Sequence, residues 1–138
     1  MPSAAIVDAN ILYAAIDRDD RWHQRSVAVL GRRDLALVVP ALVIAEVCHL
    51  VERWMGSAVE ARFLEGLSAF DIRAPEPDDW PRIAELVRQY ADFPLGGTDA
   101  SVVSLAERLN TDTIITLDRR HFGAIRPRHC DAFRLLPE

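Results

Sequence analysis

Lysine is absent from this chain: all sixteen basic residues among its 138 are arginine. A Walker-type phosphate loop, a Schiff-base enzyme, and the receivers and phosphatases that neutralise an aspartyl phosphate with lysine therefore each lack a required residue. Cysteine is scarce as well. Cys48 and Cys130 stand alone, without ligand-like spacing, and each reads as a small apolar residue. No Gly/Ser-rich or Pro-rich tract and no internal repeat interrupts the pattern, so neither disorder nor a long linker is indicated. The longest apolar stretches, around 35 to 45, fall far short of a membrane span. The opening MPSAAIVDAN places no basic residue before its short apolar run, which reads against a secretory signal; the expected location is the cytoplasm.

What is present fits one domain over 1–138: half the residues are hydrophobic, enough for a chain of this length to bury about two thirds of its unfolded surface. A formal net charge of −5 excludes a general electrostatic nucleic-acid binder, so any such contact is local. Arg119, Arg120, Arg126, Arg128 and Arg134, with His121 and His129 among them, make the last twenty residues the basic region. Arginine without lysine also points to a GC-rich genome.

Short apolar runs alternate with segments of helical spacing. Residues 4 to 7 read as a buried strand ending at Asp8, with Asn10 as cap for Ile11 to Ile16 and a turn at Asp17 to Asp20. A helix from Trp22 to Arg32 and a strand Leu35 to Val39 follow. Pro40 stops that strand, its missing N–H barring it from a central ladder. A helix over 41–55 ends at Gly56; Ser57 caps another over 58–69, and Phe70 to Arg73 is a short strand. Asp78 or Asp79 opens a helix to Tyr90, with Pro81 tolerated in its first turn. Phe93 to Gly97 is a loop, Thr98 caps a helix over 99–109, and Thr113 to Leu117 and Ala132 to Leu136 are strands. This alternation predicts an α/β domain with a mostly parallel sheet covered on both faces, with ligands beyond the carboxyl ends of its strands.

Asp8 and Asp118 lie at such ends, each directly after an apolar run. Glu46 lies in the 41–55 helix with Leu42, Val43 and Leu50 one turn away, where a buried carboxylate needs a partner; His49 and Arg53 are the pairing candidates on that helix. Asp99 starts the helix after Gly96 and Gly97, flanked by Val102 and Val103, in a position the helix dipole favours. Taken singly, each has an ordinary reading as a cap, turn or salt bridge. Gathered together they need a counter-charge, since two carboxylates about 4 Å apart repel by about 4 kcal/mol at an effective dielectric near 20. Arginine, shared protons or a divalent cation would serve, and oxygen ligands alone favour magnesium or manganese over zinc.

The stretches Val7-Asp8-Ala9-Asn10-Ile11-Leu12, Ala45-Glu46-Val47, Thr98-Asp99-Ala100 and Ile115-Thr116-Leu117-Asp118-Arg119-Arg120-His121-Phe122, in this order and spacing, resemble the PIN-domain ribonucleases. The resemblance covers essentially the whole chain, whose length is typical of the VapC-type toxins of toxin–antitoxin pairs. It implies a three-layer α/β/α fold around a parallel sheet of four or five strands. Asp8, Glu46, Asp99 and Asp118 would be the catalytic, metal-binding acids, holding one or two Mg2+ or Mn2+ ions, with Asn10 and Thr116 supporting them. The implied reaction is metal-assisted hydrolysis of an RNA phosphodiester, with transfer or ribosomal RNA as the structured target whose cleavage inhibits translation. Arg119 and Arg120 are candidate substrate contacts, and Tyr13 and Trp22 candidate stacking residues. The resemblance further implies a cognate antitoxin lying along an apolar groove, for which Trp54 beside Met55 is the candidate exposed anchor, a homodimer, and a higher assembly with antitoxin. The competing readings are an RNA-processing nuclease outside a toxin pair, a non-catalytic PIN-like binding domain, and a phosphatase using Asp8 as nucleophile. The missing lysine weighs against the last.

Overall fold

The apolar residues before Asp8 become the centre of a sheet. In the computed structural model, which describes residues 1–138, the strands are β1 (Ser3–Val7), β2 (Leu35–Pro40), β3 (Asp71–Arg73), β4 (Thr113–Ile115) and β5 (Arg134–Leu136). They pair in parallel throughout, in the order β3-β2-β1-β4-β5. Ala5, Ile6 and Val7 are fully buried on a strand whose side chains alternate between faces, so helices cover both sides, as the apolar run required. The helices are α1 (Ala9–Ile16), α2 (His23–Leu30), α3 (Ala41–Met55), α4 (Ser57–Gly66), α5 (Asp79–Gln89), α6 (Gly97–Arg108) and α7 (Arg119–Ala124). The chain steps outward from β1 to β2 to β3, then returns past β1 to β4. Right-handed crossovers therefore place α1 to α4 on one face and α5 to α7 on the other. The three-layer α/β/α fold expected from the sequence is the one observed.

Several boundaries moved. β2 lies between β1 and β3 and keeps Pro40 as its last residue, in register with Arg73. A proline is tolerated there because a strand's final residue has little ladder left to complete. Ser57 and Thr98 are inside their helices, whose N-caps are Gly56 and Gly96. The 58–69 helix breaks at Gly66 into a 3-10 turn over Leu67–Ala69. α7 was not expected at all; Asp118 caps it by accepting the His121 N–H.

α3 follows its expected limits, burying Val43, Val47 and Val51 at four-residue spacing. It stops at Gly56, which has φ 86° and ψ 173°, a region open almost only to glycine. No atom crowds an added Cβ there. Gly56→Ala is thus expected to cost about 1–3 kcal/mol through the backbone alone, read as a lowered urea midpoint with unchanged m-value.

On the other face, Arg82 of α5 makes two hydrogen bonds to Glu107 of α6, at 2.9 and 2.8 Å, with both side chains only 11% exposed. Arg108 binds Asp79 in the same seam. These pairs fasten α5 to α6, the helix that carries Asp99. No helix is long and apolar enough to cross a membrane.

Candidate active site

Strand order reverses between β1 and β4, which are neighbours, and the crevice beyond their carboxyl ends is where such sheets bind ligands. Asp8 leaves β1 there and Asp118 follows β4. Asp8 is 4% exposed, and both its oxygens are engaged: Oδ1 accepts the Ala9 N–H at 2.8 Å and Oδ2 accepts the Thr116 hydroxyl at 2.8 Å. Asp8, not Asn10, therefore caps α1. Asn10 instead spans the strand ends, its Oδ1 accepting the Leu117 N–H at 3.0 Å and its Nδ2 donating to Thr116 Oγ1 at 3.4 Å. The Thr116 hydroxyl also accepts the Asp118 N–H at 2.9 Å. One buried hydroxyl thus ties Asp8, Asn10 and Asp118 together.

Asp99, in the first turn of α6, is half-buried, and neither of its oxygens takes part in a hydrogen bond or salt bridge within the protein. Glu46 departs from expectation. It is exposed, and neither His49 nor Arg53 pairs with it, because the stripe that α3 buries runs through Val43, Val47 and Val51 and leaves Glu46 on its flank. Asp118 is drawn to His121, which Oδ1 meets at the backbone N–H (2.9 Å) and Oδ2 at Nδ1 (2.8 Å). His121 Nε2 in turn lies 3.1 Å from the Phe93 carbonyl, fastening the loop before α6 to α7. The sequence signal for this clamp is an aspartate three residues before a histidine at a helix start.

These acids feel one another. Burial raises the Asp8 carboxyl from 3.8 to about 7; the Thr116 and Ala9 hydrogen bonds oppose the rise, and Asp99 and Glu46 add to it. Asp99 is also raised, first by burial, then by Glu46 and Asp118, with His121 pulling the other way. No arginine pairs with Asp8, Glu46 or Asp99. The pocket therefore carries excess negative charge that the protein does not neutralise. Its donors are oxygens, which suit a hard divalent cation. As the side chains stand, no three metal-ligating groups converge on one point, so Asp99 and Glu46, whose oxygens are free, would turn inward to complete a cation's shell. The residues fit such an ion by charge and donor chemistry.

The candidate substrate arginines diverge: Arg119 donates to the Pro137 carbonyl, and Arg120 stacks over Phe93 at 5.3 Å. Tyr13 bonds Asp17, away from the acids. The basic C-terminal stretch is not one patch, since Arg128 joins Glu85 and Glu107 on α5 and α6.

Comparison with known proteins shows the family. The PIN domain family model matches residues 5–126. The chain is 34% identical over 134 residues to Ribonuclease VapC26 of Mycobacterium tuberculosis (strain ATCC 25618 / H37Rv), covering 96% of this chain and 99% of that protein. Among solved structures, it resembles M. tuberculosis VapC20, a Sarcin-Ricin loop cleaving toxin, with TM-score 0.79 at 13% identity over 96% of this chain and 100% of that one. VapBC2 from Rickettsia felis, bound to a DNA fragment from their promoter, gives TM-score 0.70 at 18% identity over 97% of this chain and 99% of that one.

Proposed function

We propose, from the premise that this chain belongs to the PIN-domain family, that it is a metal-dependent endoribonuclease and the toxin of a toxin–antitoxin pair. The observation that carries the reading is the unneutralised acidic crevice at the junction of β1 and β4, with Asp8 buried and raised to about 7 where no cationic side chain meets it. Asp8, Glu46, Asp99 and Asp118 would hold the cation, magnesium or manganese, and the same residues would be the catalytic acids. A divalent cation there supplies Lewis-acid activation of water and neutralises charge on the scissile phosphate.

The chain's own residues divide the remaining work. Thr116 aims Asp8 through its hydroxyl and opposes the rise of its pKa, and Asn10 braces Thr116, the role that groups behind a metal's ligands usually play. A carboxylate of the acidic set would take the proton of the attacking water. His121 holds Asp118 and the Phe93 loop in place. Arg119, next to the acids in sequence, offers a fork for a phosphate, and Arg120 is a second candidate.

The proposed target is a structured RNA, ribosomal or transfer, a reading that the Sarcin-Ricin loop cleaving activity of VapC20 supports for the ribosomal case, and the proposed location is the cytoplasm. The antitoxin has a surface to occupy: Ile16, Met55, Val59 and Phe63, edged by Arg18 and Arg62, line a trough of about 560 Å3 between α1 and the α3–α4 pair. Trp54, 65% exposed, stands beside it on α3. A peptide with apolar anchors and acidic flanks suits that lining. A homodimer, and a larger assembly with antitoxin, follow from the same family membership.

The test is cleavage. Purified chain, free of partner, incubated with total RNA and magnesium or manganese, is expected to give discrete fragments with 5′-phosphate ends, and EDTA to abolish them. Intact RNA with either metal would leave the fold as a non-catalytic binding domain.

A further inference from the structure

A furrow runs along the edge where α2 approaches β5, beginning at Thr116 and Leu117. Its inner part, about 160 Å3, is bounded by Thr116, Leu117, Trp22, Arg25 and Arg119. Thr116 is the residue whose hydroxyl holds Asp8, and Leu117 and Arg119 flank Asp118, so this lining adjoins the acids along the chain. The outer part, about 570 Å3, continues from Arg25 past Arg32 and Arg134. The two share Arg25, Pro137 and Glu138 and form one continuous channel.

The charged lining is four arginines against the single acid Glu138, on a chain carrying 21 acidic residues to 16 basic ones. The local sign is the reverse of the global one. Arg32 is engaged by Asp34 at 2.6 Å, whereas Arg25 and Arg134 make no salt bridge and both are exposed. Trp22 lies at the inner end with the guanidiniums of Arg21 and Arg25 at 5.1 and 5.2 Å from its ring. Arg21 is exposed and makes no side-chain hydrogen bond, so a flat ring can take its place on the indole.

We propose that this furrow is the track of single-stranded RNA into the acidic crevice, with Arg25, Arg119 and Arg134 on its phosphates and Trp22 stacking one base. The proposal rests on the ribonuclease reading and adds to it where the substrate lies. Guanidinium forks match phosphate oxygens, and a base stacks on an aromatic ring without regard to sequence. An acidic peptide would use the arginines and leave the indole platform idle. The net negative charge of the chain repels RNA elsewhere, which confines binding to this channel.

The test is fluorescence anisotropy of a labelled single-stranded oligoribonucleotide with the full chain carrying Asp8→Asn, in EDTA, so that binding is read without cleavage. Adding Arg25→Gln with Arg134→Gln is expected to raise Kd on the order of tenfold and to flatten the slope of log Kd against log salt by about 1.4, or about 0.7 per lost phosphate contact. Trp22→Ala is expected to weaken binding at least about fivefold with the slope unchanged. Arg134→Gln alone, at an exposed position, carries the slope test if the double variant folds poorly. Unchanged affinity and slope in the variants, beside a wild type that cleaves RNA with magnesium, would overturn the furrow and leave the ribonuclease reading standing. A wild type that neither binds nor cleaves RNA would overturn both.

Discussion

Asp8→Asn is expected to abolish RNA cleavage and, in the metal-free protein, to raise stability above neutral pH. The two effects have one cause. The Asp8 carboxyl titrates at about 7 in the fold against 3.8 as its ordinary value, principally because it is buried. Between those values the folded chain holds a proton that the unfolded chain has released, so stability is lost as pH rises through this window. The gap is worth about 4 kcal/mol from this group once pH exceeds 7. Asparagine removes the charge at nearly constant shape but keeps only one of the two hydrogen bonds, a loss of about 1 kcal/mol. The net gain at pH 8 is therefore about 2–3 kcal/mol, and the largest effect is a flatter pH profile. Urea denaturation in EDTA at pH 5 and pH 8 measures it. Adding magnesium or manganese should stabilise wild type more at pH 8 than at pH 5, since protons compete for the same oxygens, and should barely affect the variant. Parallel pH profiles for the two metal-free proteins would mean that Asp8 is not destabilised as described.

Thr116→Val is the second large effect. Valine keeps the shape and removes the hydroxyl through which a residue 1% exposed bonds Asp8, Asn10 and the Asp118 N–H. It leaves a buried carboxylate oxygen and a backbone N–H without partners, each costing about 1–3 kcal/mol. A loss of about 2–4 kcal/mol in stability is expected, with cleavage down on the order of 10- to 100-fold because the first ligand is no longer aimed. Thr116→Ser, which retains the hydroxyl, should recover most of both. If valine and serine behave alike, the hydroxyl is not the tie between the strand ends.

Asp8 and Asp118 were legible in the sequence because each ends a short apolar run, and a parallel sheet puts such ends on one side. Asp99 was legible from the glycine pair before an apolar helix. Glu46 was placed correctly on α3 but misjudged in depth. Leu42 and Leu50 suggested a buried stripe around it, yet the face that α3 buries is the valine row, and helix spacing does not say which of two adjoining apolar stripes meets the sheet. Caps were the least readable feature: Asn10, Ser57 and Thr98 read as caps, whereas the residues at the N-cap positions are Asp8, Gly56 and Gly96. The basic furrow was invisible for another reason. Arg25 and Arg32 come from one end of the chain and Arg119 and Arg134 from the other, and only the sheet order brings them together.

Manganese binding, followed by the loss of the free-ion electron paramagnetic resonance signal on full-length protein, tests most directly whether these acids form a metal centre. Wild type is expected to bind manganese in competition with magnesium, and Asp8→Asn and Asp99→Asn to lose that binding together with RNA cleavage. Equal manganese binding by all three proteins would contradict the assignment and return the acids to the role of structural charge.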